Sequence, residues 1–367
     1  MRPLDGVRVV DVTEGAQGPF AATLLADLGA EVVKVERPGG ELMRRSGPFA
    51  GGLALPCLTI CRGRLALLEI DMKTAEGLAI VQRLVAASDV LIQNWKIGTD
   101  RRLGLDFETC AARNPRLVYV RSSGFGARGP FAAEGSMDML SQAASGMASV
   151  SGPADGPSER TRTPVLDFVS AFSAAEAAMI GLAARDQSQS PQLVDSSQLA
   201  AGLDLLGPEI ATAQAEPVGP SGGQSRQYAF GRFCPTADGT WLAVECVTQA
   251  QEAALAAAFG GSLDAVAEGI ASLTQAQASQ LLAAAGVPHS DVVRHFDAGT
   301  IDRRPGNLQR YIDPRVGEIR YPEVPWIFSD TPVRAGAPAG RVGRDNAALA
   351  ALLRRWEQVP ASPIAAE

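Results

Sequence analysis

Apolar residues in the first two hundred positions fall into short runs separated by longer stretches with helical spacing. Val7–Val12 is a continuous apolar run. Pro19–Leu28 then places apolar residues at helical intervals behind a proline, which is tolerated in a first turn. Glu31–Glu36, Ala66–Asp71, Asp89–Gln93 and Arg116–Arg121 repeat the strand signal, and Thr74–Ala87 repeats the amphipathic helix. Strands alternating with helices predict a parallel sheet covered on both faces. Met137–Val150 and Phe168–Arg185 read as small-residue helices, the second well buried.

The pattern changes after Val194. An Ala/Leu-rich stretch, Ser196–Ala215, reads as one long helix and leads into the Pro/Gly/Ser-rich loop Pro217–Ser225, a natural boundary. Phe230–Cys246 predicts a hairpin turning at Ala237-Asp238-Gly239, and two or three helices follow across Gln249–His295. Asp313–Pro338 reads as irregular, with a last helix over Asp345–Arg355. The expected organisation is a large α/β domain over 1–196, a connecting helix over 197–216, a small α+β domain over 217–310, and a return to the large domain over 311–367.

The 367 residues suffice for about two domains with full cores. A formal charge of −7 argues against nucleic acid as the main partner, because phosphate binding needs clustered positive charge. No uninterrupted apolar run reaches the ~18 residues of a membrane span, and the start of the chain reads as a strand rather than a secretory leader. A cytoplasmic location is expected. The five scattered cysteines suit reduced thiols better than a disulfide framework.

With His289 and His295 as the only imidazoles, histidine-based metal sites and most hydrolase triads are disfavoured, and no metal site is expected. Lys34, Lys73 and Lys96 are the only lysines, so bidentate anion recognition would fall to arginine.

Two motifs lack their required context. Gly124-Phe125-Gly126-Ala127-Arg128-Gly129 has dinucleotide-fingerprint spacing, but Pro130 and small residues follow where a helix should begin. Gly219-Pro220-Ser221-Gly222-Gly223 has nucleophile-elbow spacing without a preceding strand. Asp167 supports two readings. At the start of the Phe168 helix it could cap free N–H groups, or the helix dipole could keep it ionised as a nucleophile. Arg37 and Arg102 each follow a predicted strand, where open α/β sheets bind ligands, although a surface arginine is the plainer reading.

Several ordered segments together resemble the class III CoA-transferases, the family of formyl-CoA transferase and the α-methylacyl-CoA racemases. They are Pro3–Asp11 with Gly18-Pro19, Leu25–Gly39, Asp89–Trp95 with Arg102–Leu105, and Asn114–Leu117 leading to Ser123–Gly126 and Gly129-Pro130. Val194–Ser196, Thr236–Gly239, Gly286–Pro288 and Phe328–Pro332 extend the resemblance to about residue 345.

The resemblance implies a Rossmann-like large domain that binds coenzyme A, a small domain, and two chains interlocked as a homodimer. It implies no permanently bound cofactor, with coenzyme A as substrate and product and acyl-CoA and carboxylate partners. Asp167 matches the catalytic aspartate, which attacks the thioester to give an acyl-aspartyl anhydride. Arg37 and Arg102 match phosphate-holding positions, Ala16 and Gln17 lie beside the pantetheine, and Asn94, Trp95 and Leu103 line the adenine and pantetheine side. Met137, Asp138, Gly222 and Gly223 fall on the acyl pocket.

Three positions depart from the family pattern: Cys61-Arg62-Gly63-Arg64-Leu65, Met137 in place of Tyr or His, and a shortened glycine loop at Ser221–Gln224. The alternatives are racemisation and CoA binding without turnover.

Overall fold

The structure is a computed structural model, and it describes residues 1–152, 158–215, 218, 230–293 and 308–358. Among these, six parallel strands form the main sheet: β1 (Arg8–Asp11), β2 (Glu31–Glu36), β5 (Ala66–Glu69), β6 (Val90–Gln93), β7 (Val118–Ser123) and β8 (Gln192–Ser197). Between β2 and β5 sits a short antiparallel pair, β3 (Phe49–Ala50) and β4 (Leu53–Ala54). The sheet order is β5-β2-β1-β6-β7-β8. Order therefore reverses at β1 and β6, which pair in register Val9 to Val90 and Asp11 to Ile92. Such a switch point opens a crevice at the carboxyl ends of the strands.

The two-residue period of the strands builds both cores. Val9, Val32, Ile92 and Val120 face one side, with the Gln17–Asp27 and Val165–Ser188 helices. Val10, Val33, Leu91 and Tyr119 face the other, with the Ala75–Ala86 helix and the last helix, Leu349–Gln358. Trp356 in that last helix is fully buried and donates its Nε1–H to Glu31 at 2.8 Å, tying the end of the chain to the sheet.

The Val165–Ser188 helix is long and apolar enough to cross a membrane. Here its Ala171, Ala174 and Ala178 lie fully buried in the core, and Arg185 pairs with Asp89 at 2.9 Å with both side chains essentially buried. Gly181 permits the close approach, since a Cβ there would sit 2.7 Å from Val118 Cγ1. It is the core helix of an α/β unit.

Three elements differ from expectation. Ser196–Ala215 is the end of β8 followed by two helices, Gln198–Leu205 and Gly207–Thr212. Met137–Val150 is broken at Gly146, whose φ of 90° lies in the left-handed region. Leu308–Asp313 and Gly317–Pro322 form a hairpin whose turn and second strand fall in the stretch expected to be irregular, Asp313–Pro338.

The chain divides into two compact units. The larger holds Met1–Ser145, Arg162–Gly207 and the described residues after 306. In the other, Phe230–Pro235 and Trp241–Cys246 pair as the expected hairpin, His289–Asp291 adds a third strand, and Leu255, Ile270 and Leu282 from three helices cover it.

Candidate active site

Asp167 is the third residue of the Val165–Ser188 helix, so it is not the residue that caps it. The cap comes from Asp138, whose Oδ1 accepts the backbone N–H groups of Leu166 (2.8 Å) and Asp167 (3.1 Å). Asp138 Oδ2 in turn accepts from Gln142 Nε2. The helix N-terminus is thus satisfied from outside, and the carboxylate of Asp167 is left for other work.

That carboxylate accepts a short hydrogen bond from Gln198 Nε2. Gln198 is held in this orientation because its Oε1 accepts from Ser141 Oγ (2.7 Å) and Ser136 Oγ (3.1 Å). Two hydroxyl donors on the amide oxygen leave its NH₂ facing Asp167. Burial, reinforced by the nearby charge of Asp138 and opposed by the Gln198 bond, pushes the Asp167 carboxyl up to about 6. It is ionised at neutral pH and more basic than an ordinary aspartate.

Asp167 lies on the wall of a cavity of about 630 Å³ within the larger unit. Ala16, Gln17, Asn94, Trp95, Met137 and Asp138 line the same cavity, so seven sequence-chosen residues come together. Asn94 clamps the turn after β1: its Oδ1 accepts from Glu14 N (3.0 Å) and its Nδ2 donates to Glu14 O (2.7 Å). Gln17 Nε2 reaches the Ser123 carbonyl at 3.3 Å. Gly124 must be glycine, because a Cβ there would lie 2.0 Å from Ser136 Cβ.

Arg37, Arg102 and Leu103 are not on the cavity wall. Arg37 is half exposed and pairs with Glu14 at 3.2 Å, while Arg102 is exposed with Nη2 on Thr99 Oγ1. Leu103 packs with Trp95 against the sheet core. Gly222, Gly223 and His295 lie outside the described residues.

Sequence reasoning missed Gln198, Ser136 and Ser141. The resembling segment Val194–Ser196 stops two residues short of Gln198, and the single-helix reading of Ser196–Ala215 hid the strand end that delivers it.

It also missed Glu41, fully buried, whose Oε2 accepts the Gly15 N–H at 2.9 Å and so holds the turn bearing Ala16 and Gln17. Its other oxygen faces the Cys57 and Cys61 thiols at 3.8 and 4.0 Å. Among the described residues this is the one trio with metal-ligand types in reach. The hydrogen bond between the two thiols, with burial, pushes the Cys61 thiol well up, and burial pushes the Glu41 carboxyl up. Beneath it, Lys34 and Arg64 both reach Asp11 Oδ2, at 3.4 and 3.0 Å. Burial works against the Lys34 charge, but Asp11 outweighs it and holds the ammonium above its usual range.

The site is an open α/β crevice at the sheet's switch point with a raised carboxylate on its wall and no histidine among the described lining residues. The comparisons name the family. A profile of CoA-transferase family III matches residues 4–346, and the chain belongs to that family. It is 34% identical over 257 residues to the succinyl-CoA–L-malate CoA-transferase alpha subunit of Chloroflexus aurantiacus, covering 67% of this chain and 59% of that protein. It is 40% identical over 159 residues to the acetyl-CoA:oxalate CoA-transferase of Acetobacter aceti, covering 43% and 41%. The matched stretch thus spans at most about three fifths of these relatives. A CaiB/BaiF family protein from Brucella suis superposes with a TM-score of 0.84 at 25% identity, over 96% of this chain and 99% of that one. The expected Rossmann-like α/β fold is borne out.

Proposed function

We propose that the chain moves coenzyme A from an acyl-CoA thioester to a carboxylic acid through a covalent intermediate on Asp167. The observation that carries this reading is the Asp167 carboxylate on the cavity wall, hydrogen-bonded by Gln198 and borne by a helix whose first N–H groups Asp138 accepts. Among the described lining residues there is no imidazole or thiol to compete for the role. The names of the relatives support the reaction class.

In the first step an Asp167 oxygen attacks the thioester carbonyl, the C–S bond breaks, and coenzyme A leaves as thiolate. Its low basicity lets a carboxylate displace it without a general base. The thiolate then attacks the aspartyl carbonyl of the anhydride and releases the donor acid. The acceptor carboxylate reverses these two steps with its own acyl group and regenerates Asp167. Arg37 and Arg102, outside the cavity wall, are assigned to the nucleotide phosphates on the strength of the resemblance alone.

Hydroxylamine added during turnover should convert Asp167 to its hydroxamate, and Asp167→Ala should abolish transfer; undiminished transfer by that variant ends the proposal. Racemisation needs a second proton carrier across the α-carbon. Met137 has none, and Asp138 is engaged with the helix N–H groups. No deuterium should enter the α-position of 2-methylacyl-CoA in D₂O. We also propose an interlocked homodimer in the cytoplasm: dilution to nanomolar concentration should leave a dimer in mass photometry, and folded monomer would refute interlocking.

A further inference from the structure

Ala16, Met43, Ile60 and Phe168 belong to one packed apolar cluster, and all four also line the Asp167 cavity. Phe168 makes an edge-to-face contact with Phe20 at 4.9 Å, which packs it into this wall. Met137 adds a further apolar side chain and is 62% exposed in the chain.

The ionisable groups on the described wall carry the opposite message. Glu14, Glu134, Asp138 and Asp167 are acids, and Lys96 is the one cation. Arg37 pairs with Glu14 at 3.2 Å, Asp138 is engaged with the helix N–H groups, and Glu134 is exposed, so none of these acids supplies a cation for an anionic acyl end. Lys96 is itself exposed, and its Nζ lies against Gly135, where a Cβ would approach it to 3.1 Å. A second carboxylate on an acyl group laid against the apolar wall would find among the described lining residues only the exposed Lys96 to pair with.

Resting on the transferase reading, we propose that the acyl group handled at Asp167 is an apolar monocarboxylic acyl group, seated on the Ala16–Met43–Ile60–Phe168 wall, and not an acyl group bearing a second carboxylate. The chain then differs in acyl donor from the relative named for succinyl-CoA and resembles in this the relative named for acetyl-CoA.

Butyryl-CoA and succinyl-CoA test this, because they match in length and differ at the far end only. Exchange of labelled coenzyme A into each thioester reads the first step without knowledge of the acceptor. Butyryl-CoA should exceed succinyl-CoA in kcat/KM on the order of 100-fold. Met137→Arg, which adds a cation at an exposed position, should narrow the ratio about tenfold while Met137→Leu keeps it. Calorimetry with Asp167→Asn supplies a second readout, in which butyryl-CoA should bind more tightly. Equal or better exchange or binding of succinyl-CoA overturns the acyl assignment and leaves the transferase reading standing. Neither thioester exchanging nor binding overturns both.

Discussion

Replacing Asp167 by asparagine should make the protein more stable and inactive, and the gain should depend on pH in a way that identifies the buried charge. Asparagine keeps the shape and the oxygen that accepts from Gln198, but loses the charge. The carboxyl is held at about 6 in the fold against 3.8 as a free group, chiefly by burial and then by Asp138. An acid whose pKa is raised by folding contributes its full share below the unfolded value and loses it as pH climbs through the folded value. The difference of about two units corresponds to roughly 3 kcal/mol lost by pH 7–8, of which about half is already lost at pH 5. Asparagine does not titrate and loses nothing. Urea unfolding midpoints at pH 5, 6, 7 and 8 should therefore diverge, with the variant ahead by roughly 3 kcal/mol at the top of the range and about half that at the bottom. An unchanged slope m would confirm that the same surface unfolds in both. A variant no more stable than its parent, or one whose advantage is flat with pH, would refute the picture of a nucleophile held at the expense of the fold.

The same carboxyl should govern rate: with a pKa near 6, its ionised fraction rises from about a tenth to about nine tenths between pH 5 and 7, so initial CoA exchange should rise about tenfold over that interval. Gln198→Ala removes the hydrogen bond that opposes burial, and the acid limb of that profile should move up by about one pH unit, whereas loss of general fold would lower the rate without moving the limb. Glu41→Ala frees the Gly15 N–H and should raise KM for the thioester about tenfold with a smaller change in kcat, and Glu41→Gln, which keeps an acceptor, should restore most of it. Trp356→Ala should cost about 3–5 kcal/mol in chemical denaturation, because the indole is fully buried and bonded to Glu31.

The sheet was legible because adjacent residues of a strand that is buried on both faces are both apolar, as Val9 with Val10 and Leu91 with Ile92 are. The Ala75–Ala86 helix was legible because Thr74 caps it locally, accepting from Gly77 N at 3.0 Å. β8 was not, since Gln192–Ser197 is a partly exposed edge strand whose state is set by pairing with β7 across sixty or more residues of chain. Asp167 could be singled out as an acid at a helix start, but its cap could not be assigned. The capping group is Asp138, separated by 28 and 29 residues from the N–H groups it accepts, and local spacing carries no trace of such a pair. Glu41 was hidden for the same reason, because its partner Gly15 is 26 residues away.

The three side chains of the site come from separate stretches of chain: Asp138, Asp167 and Gln198 meet only when three helices are in place. A chain emerging from the ribosome carries at position 167 an ordinary aspartate, fully hydrated, acidic and indifferent to thioesters. Its raised basicity comes from burial and from Asp138, and so is acquired only on folding. The raised basicity is a property of the folded molecule, and an unfolded or fragmented copy does not carry it.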